Sequence, residues 1–263
     1  MMTNIFTPRK TLIAIAAAGM LSGLAAPVAL ASEGGPALQK HDWSFNGVFG
    51  TYDRGALKRG FQIYSEVCAS CHSLKLVAYR NLQDIGFTED AVKELAAEFE
   101  VTDGPNDEGD MYSRPARPSD RFVPPYANEQ ASRANNAGAF PPDLSLMVKA
   151  RKGGPDYLYG LLIGYKEDLP EGFELADGMN YNEVFPGHQI AMGPPLYDET
   201  VEYEDGTPAT LEQHAKDITT FLAWAASPEM EARKKLGIKV LLFLFVWTGM
   251  LYALKRKIWA KLH

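Results

Sequence analysis

Cys68-Ala69-Ser70-Cys71-His72 is the stretch around which this chain is organised, because it holds the only two cysteines among 263 residues. Cysteines at positions i and i+3 of a helical turn point to the same side, and a histidine four residues after the first one leaves that side too. Cys-x-x-Cys-His is the spacing of c-type haem attachment. The motif predicts one haem c, bound covalently through Cys68 and Cys71, with His72 as an axial ligand of the iron.

Three other kinds of site share a Cys-x-x-Cys pair: a thioredoxin-like dithiol, half of a zinc site and a short structural disulfide. A zinc site needs about four ligands, and the sequence contains no second cysteine pair. A thioredoxin-like pair should follow a strand and open a helix, whereas this pair closes a helical pattern. Haem attachment is therefore the favoured interpretation.

The first 31 residues have the organisation of a bacterial secretory signal peptide. Arg9 and Lys10 precede an apolar run that ends in Ala29-Leu30-Ala31, a small-x-small cleavage site. Cleavage there would start the mature chain at Ser32 and place it in the periplasm, where c-type haem is attached. The alternative is an uncleaved N-terminal anchor.

A second apolar run, residues 236–254, lies near the other end of the chain. As a helix it would span roughly 28 Å, about the thickness of a bilayer core. Basic residues flank it on both sides, so the charge bias alone does not orient it. With the signal peptide, it predicts a single-pass protein of the bacterial inner membrane: haem domain 32–230 in the periplasm, basic linker 231–235, transmembrane helix 236–254 and cytoplasmic tail 255–263.

Charge is unevenly distributed along the chain. The whole sequence has a net charge of −7. Residues 231–263 carry +7, and Arg9 and Lys10 of the first segment carry +2. Residues 32–230 therefore carry −16. Ten acidic residues against one lysine lie between positions 84 and 110. This balance argues against nucleic acid as a partner and favours a basic protein.

The apolar pattern before the motif is helical. Leu57, Phe61, Tyr64 and Cys68 recur at spacings of four, three and four, which places them on one face. Asp53 is suited to cap this helix, and the adjoining Gly60 would permit the close approach of another helix.

Further helices are predicted downstream, separated by long loops. They would begin at Thr88, run from an Asp143 cap to Arg151, cover 157–163, and extend from Thr207-Pro208 to Ser227-Pro228. No strand pattern is convincing, so the predicted class is mainly α. Loops of this length require something to cover or order them.

A haem that only passes electrons needs a second strong axial ligand. Met192 stands in an apolar, non-helical segment that two prolines stiffen, and a rigidly held thioether suits a high-potential haem. Local chemistry favours Met192, with His188 and Met179 in loops as alternatives. The full set of candidates is His41, His188, His214, Met111, Met147, Met179 and Met192.

Several separate motifs, in order from about Trp43 to the C-terminus, resemble the cytochrome c1 family of bacterial type, the haem subunits of cytochrome bc1 (quinol–cytochrome c reductase) complexes. The motifs are Arg59-Gly60-Phe61, Val67-Cys68-Ala69-Ser70-Cys71-His72-Ser73, Arg117-Pro118-Ser119-Asp120-Arg121-Phe122, Pro141-Pro142-Asp143-Leu144-Ser145, Phe185-Pro186-Gly187, Ile190-Ala191-Met192 and Asp205-Gly206-Thr207-Pro208-Ala209-Thr210.

The resemblance implies a cytochrome c-like haem domain with long loop insertions and one C-terminal transmembrane helix. It implies His72 and Met192 as the axial ligands, Arg121 near a haem propionate and Pro142 against the haem. Electrons would come from the Rieske iron–sulfur protein and pass to a soluble or membrane-bound cytochrome c, with cytochrome b as a partner in a dimeric complex. Some bacterial members carry an extra cysteine pair that this chain lacks, so packing must hold the loop before Met192.

Two other functions compete with an electron-transfer subunit. One is a membrane-anchored haem peroxidase with an open iron site. The other is an anchored thiol–disulfide oxidoreductase.

Overall fold

The computed structural model describes residues 38–260, so the predicted signal peptide and the last three residues of the predicted tail lie outside the described residues. Within this range the fold is mainly helical, as predicted. The α-helices are α1 Arg54–Glu66, α2 Glu89–Ala97, α3 Glu129–Asn135, α4 Met147–Ala150, α5 Pro155–Ile163, α6 Leu211–Ala226 and α7 Met230–Trp259, and 3-10 helices cover Cys68–Ser70 and Tyr79–Ile85.

Two small antiparallel hairpins are present, although no strand pattern in the sequence is convincing. β1 (Glu100–Asp103) pairs with β2 (Tyr112–Pro115), and β3 (Asn180–Tyr181) pairs with β4 (Gln189–Ile190). These strands have four and two residues, too few for an alternating pattern to register. Arg114 of the first hairpin forms ion pairs with Asp103 and Asp120.

Helix α1 has the predicted cap and the predicted buried face. The Asp53 carboxylate accepts hydrogen bonds from the backbone N–H groups of Gly55 and Ala56. Leu57, Phe61 and Tyr64 are buried.

Helices α1 and α6 cross at Gly60 and form the centre of the head. A Cβ atom at Gly60 would lie 2.2 Å from the carbonyl oxygen of Asp217 and 2.6 Å from the Cβ of Phe221. Beside this crossing, Arg59 Nε and Nη2 donate to the buried Asp217 carboxylate at 2.7 and 3.1 Å. The two helices therefore touch through backbone at one point and through a buried ion pair at the next.

Gly60→Ala should destabilise the head by about 1–3 kcal/mol, because an added methyl group in a packed contact forces the two helices apart. Chemical denaturation followed by circular dichroism measures the loss. The matched control is Gly160→Ala in α5, where an added Cβ meets the Val184 side chain at 3.4 Å, an ordinary contact. Equal stability of Gly60→Ala and the parent would show that the contact between α1 and α6 has room for a methyl group.

An aromatic cluster fills the space between α1, α6 and the segment after the Cys-x-x-Cys-His turn. The ring of Phe61 lies 5.8 Å from that of Phe221 and 6.2 Å from that of Phe122, centroid to centroid. Phe122 also stacks on Tyr79 at 4.7 Å. This cluster joins the chain around residue 122 to the helix that leads into the cysteines.

The starts of α4 and α6 differ from the predictions. Helix α6 begins at Leu211, where the Thr210 hydroxyl accepts from the Gln213 N–H, so Thr207-Pro208 precedes the helix instead of opening it. Helix α4 begins at Met147 after Leu146, so Asp143 does not cap it. The predicted ends at Gly164 and Ser227 are confirmed.

Helix α7 is long and apolar enough to cross a membrane. Its 30 residues include an 18-residue window with a mean hydropathy of 1.9, none of it buried within the described chain. The predicted linker 231–235 is part of this helix. Lys234 Nζ donates to the carbonyl oxygens of Phe45 and Gly50 at 2.7 and 3.0 Å, so the start of the helix is bonded to the head.

Candidate functional site

The two cysteines lie on one tight turn directly after α1. The N–H of Cys71 donates to the carbonyl of Cys68 at 3.2 Å, and the N–H of His72 donates to the same carbonyl at 2.8 Å. Both cysteines are free thiols. Their side chains and that of His72 therefore leave a single helical turn, as the spacing predicts.

His72 is oriented by a residue seventy positions later in the chain. Its Nδ1 atom lies 2.8 Å from the carbonyl oxygen of Pro142. Because a carbonyl only accepts, Nδ1 carries the proton and Nε2 keeps its lone pair for a metal ion. Burial lowers the pKa of His72, although the bond to Pro142 and the charge of Asp143 act in the opposite direction. The neutral, ligating form of the imidazole is thus favoured.

Asp143 ties the Pro142 loop to the residues after His72. Its carboxylate accepts from the hydroxyl of Ser73 and the N–H of Lys75, both at 2.8 Å, and from the N–H of Ser145 at 2.9 Å. Burial alone would raise the pKa of Asp143, but these hydrogen bonds outweigh it and lower the pKa. The residue expected to cap a helix instead holds the Pro142 carbonyl in place.

The Cys68 thiol is not tuned for redox exchange. Burial, with a smaller contribution from Cys71, raises its pKa to about 12. Reactive dithiols have the opposite property, a lowered thiol pKa that supplies thiolate near neutral pH. A raised pKa at Cys68 is thus the opposite of what a thiol–disulfide oxidoreductase requires.

Arg121 lies against the chain that follows His72. Its Nη1 atom donates to the carbonyl oxygens of Leu76 at 2.6 Å and of Lys75 at 3.3 Å. The N–H of Phe122 donates to the Val77 carbonyl at 3.0 Å, which keeps the two segments side by side. A guanidinium has five N–H donors, so it has donor capacity beyond these two bonds for an anionic group.

Met192 is held by parts of the chain other than those that hold His72. It follows β4 and precedes Leu196, which is buried, and its carbonyl accepts from the hydroxyl of Tyr165 at 3.1 Å. The hairpin before it is organised by the buried Asn182, whose Nδ2 donates to the Leu161 carbonyl at 2.8 Å. This segment is held by packing and hydrogen bonds, which is what a chain without the extra cysteine pair requires.

The other candidate ligands have distinct environments. His214 is fully buried, with Nδ1 2.7 Å from the hydroxyl of Tyr203, and Met147 is buried in the core. The Nδ1 atom of His188 lies 3.2 Å from the carbonyl oxygen of Asn182. The remaining three are His41, whose ring packs on Tyr159, and the exposed Met111 and Met179.

The described site thus joins His72 to the Pro142 loop, with Arg121 bonded to the chain a few residues after His72, while Met192 lies just after the β3–β4 hairpin. Sequence reasoning missed two features: the Pro142 carbonyl as the partner of His72, and the Tyr165 hydroxyl beneath Met192. The Pro141-Pro142-Asp143 run indicates a stiff loop, but it does not show that this loop meets His72. The second had no local signal.

The residues fit a covalently bound haem. Two thiols share one turn, a neutral imidazole offers Nε2, and a thioether stands in a stiff segment. A thioether and an imidazole are the axial pair that raises the potential of a c-type cytochrome.

The family and relatives that match this chain do so over a region that includes the described site. The profile of the Cytochrome C1 family matches residues 43–262. The chain is 52% identical to cytochrome c1 of Rhodospirillum rubrum, over 94% of this chain and 96% of that protein. It is 47% identical to cytochrome b/c1 of Bradyrhizobium diazoefficiens, over 95% of this chain and 40% of that longer protein. It is also 52% identical to a mitochondrial cytochrome c1 heme protein of Arabidopsis thaliana, over 84% of this chain and 72% of that protein.

Proposed function

Because this chain belongs to the cytochrome c1 family, we propose that it is the membrane-anchored haem subunit of a cytochrome bc1 complex. In that role it takes electrons from the Rieske iron–sulfur protein and passes them to a soluble or membrane-bound cytochrome c. The observation that carries the proposal is the bond between His72 Nδ1 and the Pro142 carbonyl, 2.8 Å long, because it prepares the imidazole for a metal. Bound haem supplies a one-electron iron couple.

The roles of the side chains follow from their positions. Cys68 and Cys71 would each add a sulfur–hydrogen bond across one vinyl group, which leaves two thioether links and no free thiol. His72 Nε2 and the Met192 sulfur would ligate the iron. Arg121 would neutralise a propionate, and Pro142 would orient His72 while its ring contacts the haem.

Membrane placement completes the proposal. Residues 1–31 act as a signal peptide, 32–230 form a periplasmic head, 236–254 cross the inner membrane and 255–263 lie in the cytoplasm. Cytochrome b is the partner within the bilayer, which is supported by a relative whose name joins cytochrome b and c1. The complex is a dimer.

Two spectra of the full chain purified from membranes test the function. A pyridine haemochrome spectrum should show one c-type haem per chain, and carbon monoxide should leave the reduced spectrum unchanged because both axial positions are filled. Carbon monoxide binding to the parent protein would favour the peroxidase instead. A normal yield of chain without covalent haem would contradict the proposal altogether.

The acidic segment 84–110 is a candidate surface for a basic electron acceptor. Within it Lys93 pairs with Glu89 and Asp90, and Asp103 pairs with Arg114. The other exposed acidic side chains of the segment are Asp84, Glu94, Glu98, Glu100, Asp107, Glu108 and Asp110.

If this segment steers a basic cytochrome, the association rate should fall about tenfold or more between roughly 0.01 and 1 M salt, as the Debye length shrinks from about 30 to 3 Å. Stopped-flow electron transfer measures the rate. Neutralising Asp107, Glu108 and Asp110 should weaken the salt dependence. The matched control neutralises three exposed acidic residues outside the segment: Glu199, Glu202 and Glu204. An effect confined to that control would move docking there.

A further inference from the structure

A compact loop lies beside the start of α7. We call residues 44–51 the base loop. The N–H of Thr51 donates to the carbonyl of Ser44 at 3.0 Å and closes the loop. Gly50 packs so tightly that a Cβ atom there would lie 1.9 Å from the carbonyl oxygen of Asn46. The base loop is therefore a closed, tightly packed unit.

The base loop is hydrogen-bonded to α7 close to the start of its apolar span. Lys234 donates to two of its carbonyls, and Glu231 accepts from the N–H of Tyr52 at 2.8 Å while pairing with Arg54 at 2.9 Å. Lys234 precedes Leu236, the first residue of the apolar span, by two residues, or about 3 Å along the axis. The base loop thus lies at the level where the span begins.

Two apolar side chains project from this loop. Phe49 is 84% exposed, the largest fraction among the large apolar side chains of residues 38–260, and Val48 is 64% exposed. Their neighbours Trp43 and Phe45 are buried and stack at 5.6 Å. The chain around the loop therefore turns Trp43 and Phe45 into the core and Val48 and Phe49 outward, and an outward apolar pair of this kind marks a contact surface.

We propose that Val48 and Phe49 insert into the bilayer on the side of the head. Lys234 binds the carbonyls of Phe45 and Gly50 on either side of the pair, two residues before Leu236, where the exposed apolar surface of α7 begins, and the exposed cations Arg233 and Lys235 lie where lipid phosphates would be. The inference rests on the proposed membrane anchoring. A second contact beside the helix restrains the tilt and rotation of the head over the membrane, since interfacial anchors set both.

Cysteine labelling in lipid nanodiscs tests this placement. The haem-loaded full chain, in discs of phosphatidylcholine and phosphatidylglycerol, would carry Val48→Cys and be treated with a water-soluble maleimide. Two reference variants replace side chains of nearly the same exposed fraction: Met111→Cys in the head, where the methionine is 60% exposed, and Val246→Cys in the anchor, where the valine is 59% exposed. The native cysteines are held as thioethers and do not react.

The Val48→Cys variant should be labelled about tenfold or more slowly than the Met111→Cys variant, and at close to the rate of the Val246→Cys variant. The reason is that a thiol in an apolar medium forms little thiolate. Adding Phe49→Asp to Val48→Cys should restore the labelling rate to that of Met111→Cys, since a charge is expelled from the apolar layer. An unchanged haem spectrum shows that each variant is folded.

A fast reaction of Val48→Cys, with Val246→Cys still protected, would overturn the inference and leave the anchor intact. A fast reaction of Val246→Cys would overturn the anchoring itself and the inference with it. Protection of Val48→Cys only when cytochrome b is also in the disc would make the pair a protein contact and overturn the lipid assignment.

Discussion

Replacing Met192 by leucine should lower the reduction potential by roughly 200–300 mV, because thioether ligation favours ferrous iron and axial ligands tune haem over about 0.8 V. For a one-electron couple, about 59 mV is a tenfold change in the equilibrium constant. The loss is therefore roughly three to five decades, enough to stop useful electron transfer from a Rieske centre, whose potential reaches about +300 mV.

Potentiometric titration measures the shift, and carbon monoxide should bind the reduced Met192→Leu protein but not the parent. Met179→Leu is the matched control, because Met179 is another methionine in an irregular segment. An unchanged potential in Met192→Leu, with a shift in Met179→Leu, would move the ligand to Met179. If neither methionine matters, His188 is the next residue to test.

Loss of the two thiols should remove the haem and destabilise the head. The Cys68→Ala, Cys71→Ala double variant should show almost no haem stain on a denaturing gel and a lowered thermal midpoint, because a ligand that binds only the folded state stabilises it. The control is Ser70→Ala on the same turn, whose hydroxyl donates to the Val67 carbonyl at 2.8 Å. A normal covalent haem spectrum in the double variant would refute the assignment of both cysteines.

Features with a local cause were predictable from the sequence. The face of α1 follows from helical spacing, and Gly60 stood where only a glycine permits the close approach of Asp217. The turn of Cys68 and His72 is likewise set by residues four positions apart.

Features decided by distant partners were not predictable. Thr207-Pro208 satisfies the rules for a helix start, but the helix begins after Thr210, where the N–H of Leu211 donates to the carboxylate of Asp198, thirteen residues earlier, at 2.8 Å. The tautomer of His72 depends on Pro142, and nothing near either residue reveals that they meet.

The bond between His72 and Pro142 also affects the order in which the site can form. During synthesis the N-terminal part of a chain emerges first, so His72 is made seventy residues before its partner. Until the Pro142 segment arrives, neither the tautomer nor the orientation of the imidazole is set. Under the proposed function, attachment at the two thiols could therefore begin on an open turn, whereas His72 would be fixed for the iron only by the later half of the chain.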